Sequence, residues 1–171
     1  IIFAFQSKSM DIIKIKGLSK SFGKTQAVKH IDLNISQGEF FGLLGPNGAG
    51  KTTTINILST VLKPDQGEIS MNGFDLETDP AKCKNSLGIV PQEVALYEEL
   101  SAWQNLMFWG RLYGITSQQA EEQAGHLLEL MELKDRSHSL IKHFSGAMKR
   151  RINIAAAMLH QPKILLMDEP T

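Results

Sequence analysis

The sequence predicts an α/β fold, a sheet-based core with an α-helical subdomain inserted into it. Three observations carry that prediction. Residues 40–44 and 163–167 are short apolar runs of strand length. The first run leads directly into a glycine-rich loop and then a helix-forming segment over about 51–62. Between the two runs, apolar residues recur at helical spacing. A strand–loop–helix unit, a run of helices and a second core strand describe one layered domain.

In chain order, residues 12–15 read as a short strand. Ile31, Leu33 and Ile35 alternate with Asp32 and Asn34, the period-two pattern of a half-buried strand. Residues 40–44 are apolar apart from Gly42, as expected of a parallel strand covered on both faces. Lys63-Pro64-Asp65-Gln66-Gly67 has turn chemistry and ends the helix before it. Residues 68–71 and 87–90 read as strands, and 100–113 and 117–133 as helices. In the second of these helices Ala120, Ala124, Leu127, Leu128 and Met131 make one apolar face. Ile152, Ala155, Ala156 and Leu159 do the same in a third helix, which Gln161-Pro162 stops.

A chain of 171 residues, 42% of them hydrophobic, suits one domain with a sizeable core. Its 18 basic and 18 acidic residues cancel, so no global field draws it to nucleic acid or to an anionic membrane surface, and no nucleic-acid partner is expected. Cys83 is the sole cysteine, which excludes an internal disulfide and fits a reducing, cytoplasmic compartment. No apolar run approaches the ~20 residues of a membrane-spanning helix, so membrane work falls to a partner. The opening Ile1-Ile2-Phe3-Ala4-Phe5 is apolar but too short for a signal segment, and Met10 begins a more natural start. Residues 1–9 are therefore read as an upstream or non-native extension. The five histidines lack metal-ligand spacing.

The octapeptide Gly45-Pro46-Asn47-Gly48-Ala49-Gly50-Lys51-Thr52 matches the phosphate-binding pattern G-x-x-x-x-G-K-[ST] at every fixed position. Backbone N–H groups must converge on phosphate oxygens there, and side chains at the glycines would block that approach. The loop opens a helix whose N-terminus carries partial positive charge. Lys51 is expected to reach the β- and γ-phosphates of ATP and Thr52 to ligate Mg²⁺. Residues 163–169 form an apolar run ending in Asp168-Glu169. A carboxylate at the end of a buried strand beside such a loop can hold Mg²⁺ through its water shell, the role expected of Asp168. Glu169 points elsewhere and is the candidate general base that polarises the attacking water.

Together, residues 45–53, Gln92, Ser145-Gly146 and Leu165-Leu166-Met167-Asp168-Glu169-Pro170-Thr171 resemble the ATP-binding subunits of ABC transporters, over about residues 10–171. The resemblance implies a P-loop NTPase core of RecA type, a mixed sheet with an N-terminal antiparallel β part. It implies a helical subdomain over about 93–160 and C-terminal core strands that lie beyond Thr171. It adds Thr53 to the nucleotide contacts. Phe22 is placed where the family stacks an aromatic on adenine, the alternative being a plain core residue. Gln92 is expected to contact Mg²⁺ or the catalytic water and to report nucleotide state.

Ser145-Gly146-Ala147-Met148 aligns with the family signature, commonly Ser-Gly-Gly-Gln, so Ala147 and Met148 depart from it. Ser145 can cap the following helix. The resemblance then turns that helix N-terminus, with Gly146, toward a γ-phosphate bound by a second ATP-binding subunit, in a homo- or heterodimer. Lys149-Arg150-Arg151 read either as a basic cluster near phosphate or as solvated helix charge. The segment 93–113, rich in aromatics, corresponds to the family's docking surface for an integral membrane permease subunit. Its Tyr97, Leu100, Trp103, Leu106, Phe108 and Trp109 either form that patch or fill the subdomain's own core.

The function implied is ATP hydrolysis energising a transporter, of exporter type, by a protein peripheral on the cytoplasmic face of the membrane. The alternative is a soluble ABC-type ATPase acting on ribosomes or DNA. The family's interface aspartate loop and switch histidine fall beyond Thr171, so this polypeptide is expected to hydrolyse ATP weakly or not at all.

Overall fold

The computed structural model describes residues 2–4 and 11–168. Their backbone divides into two compact units, Ile1–Ile89 with Lys163–Thr171, and Val90–Pro162.

The first unit holds two four-stranded sheets. One is wholly antiparallel. Its strands β2 (Asp11–Phe22) and β3 (Thr25–Ser36) form a long hairpin; β5 (Gln66–Met71) pairs with the other edge of β2, and β6 (Phe74–Asp75) closes the order β3-β2-β5-β6. The hairpin is much longer than the expected strand over 12–15, because register shifts between Ile15 and Ser21 let it continue past Gly17. Its alternation is as read: Ile35 is buried, and Asp32 and Asn34 face water.

The second sheet has the order β4-β1-β8-β7, with β1 at Ile2–Ala4, β4 at Phe40–Phe41, β7 at Leu87–Val90 and β8 at Ile164–Met167. All four residues of β8 are buried, as an apolar core strand requires. Strand β4 departs from expectation. It is two residues long and lies at the sheet edge; Phe40 is 61% and Leu44 91% exposed, not covered on both faces. An apolar run is buried only if other strands or helices flank it, and among the described residues nothing pairs with the outer edge of β4. Ile2–Ala4, inside the stretch read as an extension, lies between β4 and β8 and is antiparallel to both.

Helix α1 (Lys51–Leu58) stops four residues before the expected end. Thr60 adopts a left-handed φ of 63°, and the Val61 and Leu62 amides both return to the Asn56 carbonyl, so the apolar pair Val61-Leu62 belongs to a turn. Helix α2 (Pro80–Asn85) has Pro at its start and too few residues to show a period.

The second unit packs α3 (Ala102–Leu112), α4 (Ser117–Leu130) and α5 (Gly146–Met158) around their own core. Capping boxes begin α3 and α4: the Ser101 and Thr116 hydroxyls accept from the Gln104 and Gln119 amides, and those glutamine side chains accept in return from the capping residues' N–H groups. Helix α4 buries Ala120, Ala124, Leu127 and Leu128 as its spacing predicts. It ends in a Schellman arrangement in place of continuing to 133. Glu132 is left-handed at φ 57°, and the Leu133 amide donates to the Leu128 carbonyl at 2.8 Å. Gly110 lies where α3 meets α4; a Cβ there would stand 2.8 Å from that of Ala120. Among the described residues no helix is long and apolar enough to cross a membrane.

Candidate functional site

The site in the first unit begins with Gly50. It caps α1 in the left-handed conformation, φ 84°, with no side-chain hydrogen bond to the helix and no acidic residue in the first turn. The orphan N–H groups and positive end of α1 are therefore left to a ligand. A Cβ on Gly50 would lie 2.3 Å from the Ala27 carbonyl oxygen of β3, so only glycine brings the loop this close to the hairpin. Gly45, Gly48 and Gly50 all have positive φ. The Lys51 ammonium folds back over the loop and donates to the carbonyl oxygens of Gly45 at 2.6 Å and Pro46 at 2.9 Å. Thr54 donates its hydroxyl to the Gly50 carbonyl at 2.9 Å, which binds loop to helix, while Thr52 faces solvent. The remaining loop residues, Asn47 and Ala49 among them, are exposed.

Register relates this loop to Asp168. Phe41 of β4 and Leu166 of β8 flank Ile2 in one row. Both strands are antiparallel to β1, so they run the same way, about 10 Å apart across it. Their C-terminal ends emerge at one edge of the sheet: Gly45 follows Phe41 by four residues and Asp168 follows Leu166 by two. Asp168 is partly exposed there. Glu169 lies outside the described residues. Among those residues no group of three or more His, Cys, Asp or Glu stands ready to hold a metal ion. Thr52 and Asp168 each carry an oxygen of the hard-donor kind that suits Mg²⁺.

Phe22 is 52% exposed, so it is not the plain core residue its alternative reading required. It ends β2 opposite Thr25, two residues from the Ala27 carbonyl on which Gly50 packs, about 7 Å along the strand. Asp65 braces this tip. It accepts from Lys20 at 2.6 Å and from the Ser21 amide at 2.7 Å, and the Lys20 ammonium stands 5.7 Å from the Phe22 ring centre. The Lys20 hydrogen bond, then that of Ser21, holds the Asp65 carboxyl below its ordinary value. The brace is therefore present above the usual carboxylate range and is lost as pH falls through the depressed value.

Gln92, Ser145 and Gly146 belong to the second unit and are exposed there. Ser145 caps α5, its hydroxyl accepting from the Met148 amide at 3.2 Å. Among the described residues, nothing beyond its own chain neighbours and helix backbone lies within 4 Å of a Cβ built on Gly146, and Ala147 is exposed. The aromatic segment divides. Leu106 is buried, Trp103 and Trp109 pack partly against the helical core, and Tyr97 and Phe108 are exposed with ring centres 4.8 Å apart. The sequence reading missed Arg150, whose guanidinium donates to the carbonyls of Pro91 and Gln92. Contact over 58 residues leaves no periodic signal; the only hint was a charge among Lys149-Arg150-Arg151.

A family model described as ABC transporter matches residues 28–171. The chain is 48% identical to the linearmycin resistance ATP-binding protein LnrL of Bacillus subtilis, over 94% of its own length and 51% of that protein's. It is 39% identical to the daunorubicin resistance ATP-binding protein DrrA3 of Streptomyces coeruleorubidus, covering 93% of this chain and 50% of that one. Among solved structures it superposes on cbiO1 from Clostridium perfringens, described as part of the ABC transporter complex cbiONQ. The TM-score is 0.86 at 28% identity, covering 94% of this chain and 66% of that one. The chain thus spans about half the length of the curated relatives it matches.

Proposed function

The chain belongs to the ABC transporter family, and from that premise we propose that it binds Mg²⁺-ATP and, in the full-length protein, hydrolyses it to energise a drug-resistance-type exporter. The observation that carries this reading is the open, uncapped start of α1 under a lysine folded across the loop. Backbone amides of residues 45–53 cradle the phosphates, and the Lys51 ammonium offsets charge on the transferred phosphoryl group. Thr52 and Asp168 are the residues that would hold Mg²⁺, and Gln92 the one that would respond to nucleotide state. When bound, the metal draws charge from the phosphate oxygens. Glu169 orients and deprotonates water.

In this reading the start of α5, with Ser145 and Gly146, faces the γ-phosphate held by a second ATP-binding subunit. Tyr97 and Phe108 seat a segment of an integral membrane permease, and the protein lies on the cytoplasmic face of the membrane. That its relatives are linearmycin and daunorubicin resistance proteins supports drugs as the exported class.

The phenyl face of Phe22 stacks on adenine. Phe22→Ala is expected to weaken ATP binding by about 1–3 kcal/mol while leaving binding of inorganic tripolyphosphate unchanged, and Phe22→Tyr is expected to behave as wild type. Competition titrations of the two ligands measure this; equal losses for both would remove Phe22 from the base site. The function itself is tested by purifying the full-length protein from membranes. Co-purification of a polytopic membrane protein, with phosphate release that Glu169→Gln abolishes, is expected. A soluble protein bound to ribosomes or DNA would refute it.

A further inference from the structure

Helix α5 grips the segment before α3 at several points. Arg150, about one and a half turns past Ser145 and half-buried, donates through Nη1 to the Pro91 carbonyl oxygen at 2.5 Å and to that of Gln92 at 3.3 Å. One helical turn on, the Asn153 side-chain oxygen accepts from the Ala95 amide at 3.3 Å. Lys149 pairs with Glu98, and Lys142, just before α5, pairs with Glu99 at 2.8 Å. The Lys149 and Lys142 pairs are exposed and weak singly. The Arg150 contact is different in kind, because a fixed charge on a rigid helix holds two successive carbonyls and so sets the orientation of the peptide joining Pro91 to Gln92.

We infer that Arg150 is a positioning residue: it makes the backbone that carries Gln92 move with the helix that starts at Ser145. This rests on the reading above, in which Gln92 serves the nucleotide site and Ser145 the opposite one. Only five residues, about 7.5 Å of helix, separate Ser145 from Arg150. A shift of the α5 N-terminus on meeting the second subunit's nucleotide therefore reaches Gln92 as a rigid displacement. It also gives one member of the basic cluster a role that is neither phosphate contact nor solvation.

The test is a double-mutant cycle in the full-length protein, reading fluorescent-ATP affinity and phosphate release separately. Arg150→Ala is expected to keep nucleotide Kd within about threefold of wild type and to lower kcat about tenfold or more. Gln92→Ala is expected to lower kcat similarly, and the double variant to be no slower than Gln92→Ala alone. Arg150→Lys, which keeps a charged donor on a shorter side chain, is expected to recover part of the rate, and it carries the same cycle should Arg150→Ala fail to fold. Multiplicative losses, a wild-type rate for Arg150→Ala, or a silent Gln92→Ala would each overturn the inference. Failure of the underlying reading shows separately, as undiminished nucleotide binding by Lys51→Ala.

Discussion

Lys51→Ala is expected to weaken Mg²⁺-ATP binding by roughly ten- to a hundredfold in Kd. An ammonium has three donors, and two of those on Lys51 are engaged by the Gly45 and Pro46 carbonyls. The group is thereby held over the loop with its third donor left for a ligand. A charge-assisted hydrogen bond contributes roughly 1.5–3 kcal/mol, so losing the one that reaches phosphate weakens binding by roughly ten- to a hundredfold in Kd. Lys51→Arg is expected to fail as well, since a planar fork does not replace a compact point charge in so small a loop. Fluorescence titration measures both variants. Thermal stability is expected to change little in either, because Lys51 closes no part of the core.

Gly50→Ala is expected to cause a large loss of stability from a single methyl group. The added Cβ meets the Ala27 carbonyl oxygen at 2.3 Å and Val28 Cγ2 at 3.3 Å, and the residue must hold φ at 84°. Left-handed backbone costs an L-residue about 1–2 kcal/mol. The clash is with backbone, which no rotamer relieves, and overpacking of this kind adds about 1–3 kcal/mol. The combined loss corresponds to a melting temperature lower by roughly 5–20 °C. Relief requires α1 to withdraw from β3, carrying Lys51 and Thr52 with it, so nucleotide binding falls in the molecules that remain folded. Gly48→Ala is the internal control. It shares φ of 84° but meets nothing within 4 Å, so only the backbone strain is expected. Equal melting temperatures for the two variants would show that the approach of loop to hairpin is not as described.

What was legible in the sequence is what short-range chemistry dictates. The loop residues, the Ser145 cap and the buried faces of α4 and α5 follow from fixed spacing, because helix geometry and amide satisfaction act within a few residues. The unforeseen features depend on partners distant in the chain. Residues 40–44 are apolar enough for a central strand, yet burial is set by the packing around a run, and Phe40 and Leu44 are 61% and 91% exposed. Thr60 and Glu132 end their helices in left-handed backbone without glycine, a choice that propensity alone does not signal. The brace from Asp65 to Lys20 and the tie from Arg150 to Gln92 span tens of residues and leave no pattern in sequence. Of the site residues, the loop, Phe22 and Asp168 belong to one unit and Gln92, Ser145 and Gly146 to the other; within the first, β1 pairs with both the strand before the loop and the strand before Asp168.

In the proposed site, residues 45–52 enclose a triphosphate whose magnesium Asp168 would share. The decisive measurement is a titration of ATP into the full-length protein with and without Mg²⁺, beside Asp168→Asn. Saturable binding that tightens with magnesium in the wild type, and loses that dependence in Asp168→Asn, is the predicted result. Binding indifferent to magnesium in both proteins would contradict it.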